Sequence, residues 1–310
     1  LILDDFTSIR SDLWRTEKMQ GGLHRAGNGN PKGWRHSACY TGDEDRLFKI
    51  TDLGLAMAGY MEHGPVEHRI DVSSADGLYH PYGTQTIFTG WKDTFTQKWD
   101  NDLGMNVLDT DAPNITISPG VRIRTVANFE NMMVPGHRGS SWGMPADENV
   151  SYAYDEDPAN GVEMDAFEYD PGMPYHLQCK IIGGPVLGNT PKGSIDLRSK
   201  HKIDLTVGDH VIDLIWLEDR VVWVVDGIEV QRDFYRVPQV EHFWILSREA
   251  NSGAKDNPAS LSEIQAVDPL MPSDPGLYGK SAILGADVME DDVFLVREFR
   301  IDEVSLRGVV

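Results

Sequence analysis

The sequence predicts an all-β fold, a sandwich or a barrel. Short runs rich in Val, Ile, Thr and aromatic residues recur along the chain. Turn formers separate them, with 30 glycines and 17 prolines spread through 310 residues. Stretches with helical period are hard to find. Many short strands with turn signals between them indicate a sandwich or barrel.

Strands are expected at 66–73, 85–89, 114–118 and 121–130, then at 162–169, His176–Ile182, 202–207 and 210–217. The last are expected at Val221–Val225, 243–246 and 294–306, the final one with a break. The clearest hairpin lies late in the chain. Glu218-Asp219 leads into Val221–Val225, and Asp226-Gly227 then turns the chain into 228–231. Glycine readily takes the positive φ that tight hairpin turns need. Two stretches read as long loops, 21–41 with its Gly, Asn and basic residues, and 251–285 with Pro258, Pro269, Pro272 and Pro275. Long loops in a compact domain are usually functional, and on a sandwich they line or lid a cleft. All-β units often exceed 200 residues, so one domain over 1–310 is expected.

Composition narrows the function. The formal net charge is −21, a balance that repels nucleic acid and anionic lipid. No run of 18 apolar residues exists, so no membrane-spanning helix is expected. The mean hydropathy is −0.36 and the isoelectric point about 4.7, those of a soluble protein. The chain opens at Leu1 and shows no charged and apolar leader, as is expected of a mature exported protein and equally of a trimmed chain. Two cysteines, Cys39 and Cys179, allow one disulfide or two buried thiols, and the thiols are the plainer reading. HExxH, CxxC and P-loop patterns are absent, which gives no support to zinc or nucleotide chemistry.

The segment Glu163-Met164-Asp165-Ala166-Phe167-Glu168-Tyr169 carries the chemistry. In a regular strand Glu163 and Asp165 share one face and Met164 takes the other. Strict alternation then sends Glu168 into the core, where an unpaired carboxylate is very costly. A one-residue β-bulge across Ala166-Phe167 shifts the phase and returns Glu168 to the acid face. Three acids on one face repel one another, so stability gives no reason for them. Retaining cleavage of a glycosidic bond does: it needs a carboxylate nucleophile and a proton donor about 5–5.5 Å apart. Crowding of like charges also keeps one acid protonated near neutral pH.

This segment resembles the bulged E-x-D-x-x-E signature of glycoside hydrolase family 16, the laminarinases, agarases, carrageenases and porphyranases. Ser140-Ser141-Trp142-Gly143-Met144-Pro145, the hairpin around Val222-Trp223-Val224-Val225-Asp226-Gly227 and the end segment Phe299-Arg300-Ile301-Asp302-Glu303-Val304 are similar to further segments of that family, in the same order. The resemblance spans about 121–304, and residues 1–120 match poorly. It implies a concanavalin-A-like jelly-roll β-sandwich of two antiparallel sheets with a concave substrate cleft. It also implies retaining hydrolysis with Glu163 as nucleophile, Asp165 as assisting acid and Glu168 as general acid/base. The family often holds a structural calcium, for which Asp4, Asp5 and Asp302 are the expected hard-oxygen ligands. Catalysis itself needs no cofactor.

Sugar rings stack on flat aromatic faces. Trp142 is the expected cleft floor and Trp244 a second platform, while Trp216 and Trp223 alternate with Val and Ile and read as core. Arg248 and Glu249 are expected to hydrogen-bond sugar. Arg138, near His137, joins Arg25, Lys32, Arg35 and His36 as basic residues in an acidic chain. Together these raise an acidic or sulfated glycan as substrate, because guanidinium binds carboxylate and sulfate in a bidentate way. The expected protein is a secreted or cell-surface monomer, a retaining endo-glycosidase on a polysaccharide such as a β-glucan or a sulfated galactan. A polysaccharide lyase on the same fold is one alternative, though lyases use Tyr, His or Arg where this chain has acids. A non-catalytic lectin is the other, and it has no need of three crowded acids.

Overall fold

The computed structural model describes residues 2–14, 39–40, 48–58, 60–61, 82–89, 97–100, 105–108, 115–132, 137–146, 163–182, 193–250 and 293–304. In chain order the strands are β1 (Ile2–Asp4), β2 (Cys39–Tyr40), β3 (Phe48–Thr51), β4 (Gly54–Ala58), β5 (Tyr60–Met61), β6 (Tyr82–Phe88), β7 (Gln97–Asp100), β8 (Met105–Leu108) and β9 (Val121–Asn128). They continue as β10 (His137–Pro145), β11 (Glu163–Tyr169), β12 (His176–Ile182), β13 (Ser194–Asp196), β14 (Asp209–Trp216), β15 (Val221–Val225), β16 (Ile228–Asp233), β17 (His242–Ala250) and β18 (Val293–Glu303).

Two eight-stranded sheets result. One runs β16-β15-β14-β9-β18-β4-β3, with β1 also on β18. The other runs β13-β12-β11-β10-β17-β6-β2, with β5 also on β6. Pairing is antiparallel except between β2 and β6, and β7-β8 form a separate hairpin. The inner faces meet in a core that includes Ile123, Phe129, Phe167, Tyr169, Trp216, Trp223, Trp244 and Phe294. Phe129 stacks on Tyr169 with centroids 4.3 Å apart and meets Phe167 edge-on at 5.6 Å. Thr125 and Ser141 hydroxyls also join the sheets at 3.1 Å.

The late hairpin forms as expected. Val225 pairs Ile228, and both turn residues have positive φ, 50° at Asp226 and 79° at Gly227. The break expected in the last strand is a register shift between Val296 and Glu298. Three expectations differ. Residues 202–207 are no strand: a five-residue helix α1 (Leu197–His201) comes first, with Asp196 accepting from the Ser199 N–H at 2.9 Å. Asp204 then closes a turn on Thr206 at 3.1 Å, so local capping replaces a ladder here. The strand expected at 114–118 reduces, among the described residues, to a bridge between Ile117 and His242. The strand at 243–246 extends over His242–Ala250. The expected strand at 66–73 and both long loops, apart from Cys39 and Tyr40, lie outside the described residues. Cys179 is a free, buried thiol. Among the described residues no helix is long and apolar enough to cross a membrane.

Candidate active site

The site is built on β11 and its two neighbours. Against β10, Glu168 faces Ser140 and Phe167 faces Ser141, but the next pair is Asp165 with Trp142. Against β12, Asp165 faces Lys180 and Glu168 faces Gln178, so Ala166 and Phe167 together oppose Cys179. This is the one-residue bulge the acid spacing predicts. Met164, Ala166 and Phe167 enter the inter-sheet core, and the three acids lie outside it. A bulge strands ladder groups. Here core donors take them up: the Trp223 indole N–H reaches the Asp165 carbonyl at 2.7 Å, and the Cys179 thiol contacts the Ala166 carbonyl at 3.4 Å.

Directly opposed residues of an antiparallel pair point to one side. Trp142, Asp165 and Lys180 therefore form one row across the acid face, and Ser140, Glu168 and Gln178 form the next. Glu163, Asp165 and Glu168 are all buried. Burial pushes the Glu163 carboxyl well above the ordinary glutamate range, and the Asp165 charge and a hydrogen bond with Asp165 add to this. Lys180 works the other way. Its ammonium bonds Glu168 and lies 3.4 Å from Asp165 Oδ2 and 3.2 Å from Gln178 Oε1. Arg138 donates to Glu168 Oε1 at 3.2 Å. Burial pushes the Lys180 amine down, but Asp165, Glu168 and Glu163 outweigh it and hold the lysine charged.

Of the expected substrate contacts, Trp142 and Arg138 lie on this face. The Trp142 ring is fixed by its N–H, which donates to Ser247 Oγ at 2.9 Å. Trp244 and Arg248 are corrections. Trp244 is fully buried between the sheets and donates to Ser141 Oγ at 2.9 Å. Arg248 is fully buried too and shares strand parity with Trp244 and Leu246, so it points away from the acids. Glu249 pairs Arg138 in the β10–β17 register, and its side chain lies outside the described residues. The expected calcium ligands do not fit a cation. Asp302 is taken by Arg122 at 2.5 Å and Arg300 at 2.7 Å, two positive groups that repel one. Asp5 closes its own turn on Thr7 at 3.2 Å, and Asp4 accepts from Phe6 N–H and the Trp14 indole. No cluster of three or more metal-ligating side chains occurs among the described residues.

Lys180 went unread in the sequence. The signal is there: Leu177, Cys179 and Ile181 are core, so Gln178 and Lys180 share the other face. Only the register of β12 on β11 gives that face a meaning.

No family profile matches the sequence, and no curated protein matches it. Solved structures do match. The chain is similar to an endo-β-1,3-glucanase from Pyrococcus furiosus, at 16% identity over 97% of this chain and 92% of that one, with a TM-score of 0.60. A non-specific endo-β-1,3(4)-glucanase from family GH16 matches at 13% identity over 97% and 92%, with a TM-score of 0.57. An endo-acting O-glycanase of the human gut microbiota, of a kind that initiates mucin breakdown, matches at 14% identity over 98% and 99%, with a TM-score of 0.55. The fold is their jelly-roll sandwich. At such identities the likeness reaches the fold and no further.

Proposed function

We propose that this chain is a retaining endo-glycosidase that hydrolyses β-glycosidic bonds in a polysaccharide. One observation carries the reading: the bulge at Ala166 brings Glu163, Asp165 and Glu168 onto a single face of β11. Glu163 attacks the anomeric carbon while Glu168 gives its proton to the departing oxygen, and a glycosyl-enzyme ester forms. Glu168 then takes a proton from water, the water attacks the anomeric carbon, and Glu163 leaves as carboxylate. Asp165, hydrogen-bonded to Glu163, orients the nucleophile. Trp142, in the Asp165 row, is an aromatic residue of this face and borders the sugar.

The likenesses to endo-β-glucanases and an O-glycanase support a β-linked, internally cleaved glycan. Within that class a neutral β-glucan is the favoured substrate. Both cations described on the acid face, Arg138 and Lys180, are engaged by Glu168, and Arg248 points inward. The sulfated galactan thus rests on the basic residues of 25–36, outside the described residues. A glycanase of this kind acts outside the cytoplasm, which favours a secreted or cell-surface place.

The test is the anomeric configuration of the first product, followed by NMR on a panel of neutral and sulfated polysaccharides. Retention is expected, with new reducing ends and no ultraviolet-absorbing unsaturated sugar. Glu163→Gln is expected to abolish turnover. Glu168→Ala is expected to regain activity with azide on a substrate whose leaving group needs no proton. Inversion, or full turnover by Glu163→Gln, overturns the assignment.

A further inference from the structure

We infer that Lys180 is a positioning residue for the reaction proposed above, a counter-ion that moves between Glu168 and Asp165 and so sets which acid carries the proton. The inference rests on that reading for its chemistry and on the geometry of β12 for its existence.

The resting arrangement is the reverse of what the first step needs. Burial and the neighbouring Asp165 favour the protonated form of Glu163, while Glu168 is gripped by two cations, Lys180 and Arg138. Glycosylation needs Glu163 bare and the proton on Glu168. With one proton among them, the three carboxylates and the two cations sum to zero charge. The proton can therefore relocate inside the site without charging it, provided one cation follows. Lys180 is built to follow. Asp165 is its direct partner across the β11–β12 ladder, and Glu168 faces Gln178, two residues away on the same face. The ammonium already touches both acids, with Asp165 Oδ2 at 3.4 Å. Moving fully to Asp165 lowers the proton affinity of the Glu163–Asp165 pair and leaves Glu168 with Arg138 alone.

The surroundings suit such a stroke. A four-carbon stem with a compact ammonium can swing where a planar guanidinium cannot. Gly193 lines the stem: a methyl there would lie 3.1 Å from Lys180 Cβ and Cδ. Among the described residues, the charged groups facing the ammonium are Glu163, Asp165 and Glu168 from β11. Arg138 of β10 faces the same Glu168, Gln178 of β12 is a neutral acceptor, and the buried Cys179 thiol lies on the opposite face of its own strand.

The experiment compares Lys180→Met and Lys180→Arg with the parent protein. Carboxyl ¹³C NMR follows the resting protein through pH, and the signal lost in Glu163→Gln reports Glu163. In Lys180→Met its midpoint is expected to rise by about 1 pH unit or more, the effect of removing one close opposite charge. Lys180→Arg is expected to keep the midpoint but lose turnover, because it holds the charge and cannot swing. On a cleaved glycan, Lys180→Met shifts the acid limb of kcat/KM upward by the same amount, about 10-fold less activity on that limb. A folded Lys180→Met protein with an unmoved Glu163 midpoint overturns the inference. So does full activity in Lys180→Arg. If Lys180→Met fails to fold, Lys180→Gln takes its place. The NMR arm needs no turnover: a parent protein that cleaves no glycan refutes the proposed function and leaves the counter-ion measurement standing.

Discussion

Glu163 is a carboxyl that folding would rather protonate. Burial and the Asp165 charge raise its proton affinity above that of the unfolded chain. The folded state then binds more protons than the unfolded one from the ordinary glutamate range upward, so stability falls as pH rises through the raised value. Glu163→Gln removes that loss. The variant is expected to be inactive yet more stable at pH 7, by on the order of 1 kcal/mol or about 2 °C in melting temperature, with the advantage fading as pH falls toward 4. Thermal melts across pH check it, and a variant that melts lower at pH 7 counts against a destabilising acid face. The same group sets the pH dependence of the reaction. A nucleophile must be ionised, so kcat/KM is expected to fall with acid at a pH above the usual glutamate value of about 4.3. At this scale the shared face of the three acids was legible in the sequence, because alternation itself forced the bulge that unites them. Trp244 and Arg248 were misread. Arg248 is fully buried, and a buried arginine is rare enough that strand position alone does not reveal it.

At the scale of the element, β10 and β11 work as a pair. The inner face of β10 reads Gly139, Ser141, Gly143, small residues where a sandwich strand usually carries large ones. Phe294 and Trp244 need that space: a methyl on Gly139 would come within 2.7 Å of the Phe294 ring, and one on Gly143 would collide with the Trp244 ring. Gly143→Ala is expected to cost about 1–3 kcal/mol, the range for overpacking a filled core, measured by denaturant melts. Trp223 serves the pair from the other sheet, since its N–H is what satisfies the bulge carbonyl of Asp165. Trp223→Phe keeps the ring and drops the donor. It is expected to cost about 1–3 kcal/mol and to lower kcat more than it raises KM, because the carbonyl it frees belongs to the residue that orients the nucleophile. A drop in stability with kcat intact would mean the bulge holds without it. Trp223 was legible as core from its Val and Ile neighbours. Its reach to Asp165, 58 residues back, was not. The helix α1 was also illegible, since five residues are too few to display a helical period.

For the whole molecule, a chain of net charge −21 depends on where its few cations go. On the outer face of the sheet that holds β9, β14 and β18 they are spent on neighbouring carboxylates: Arg124 holds Asp213 in a two-pronged pair at 2.7 and 2.8 Å, and Asp302 sits between Arg122 and Arg300. Burial pushes the Asp302 carboxyl up, but the hydrogen bonds from those two arginines prevail and hold it below the ordinary aspartate range. The family resemblance pointed to Asp302 as a calcium ligand. What the resemblance lacked was the register that sets Arg122 directly opposite it on β9. Asp302→Asn tests which description holds. With the carboxylate gone, two arginines face an uncharged amide, and a loss of about 1–2 kcal/mol at pH 7 is expected for this partly exposed network. A carboxyl with a depressed value stabilises above its unfolded value of about 3.9, and that stability is lost as pH falls through the folded one. The gap between parent and variant is therefore expected to stay constant from pH 7 to about 5 and to close below about pH 4, in melts with and without calcium. A gap that appears only when calcium is present would return Asp302 to the role of metal ligand and undo the arginine account.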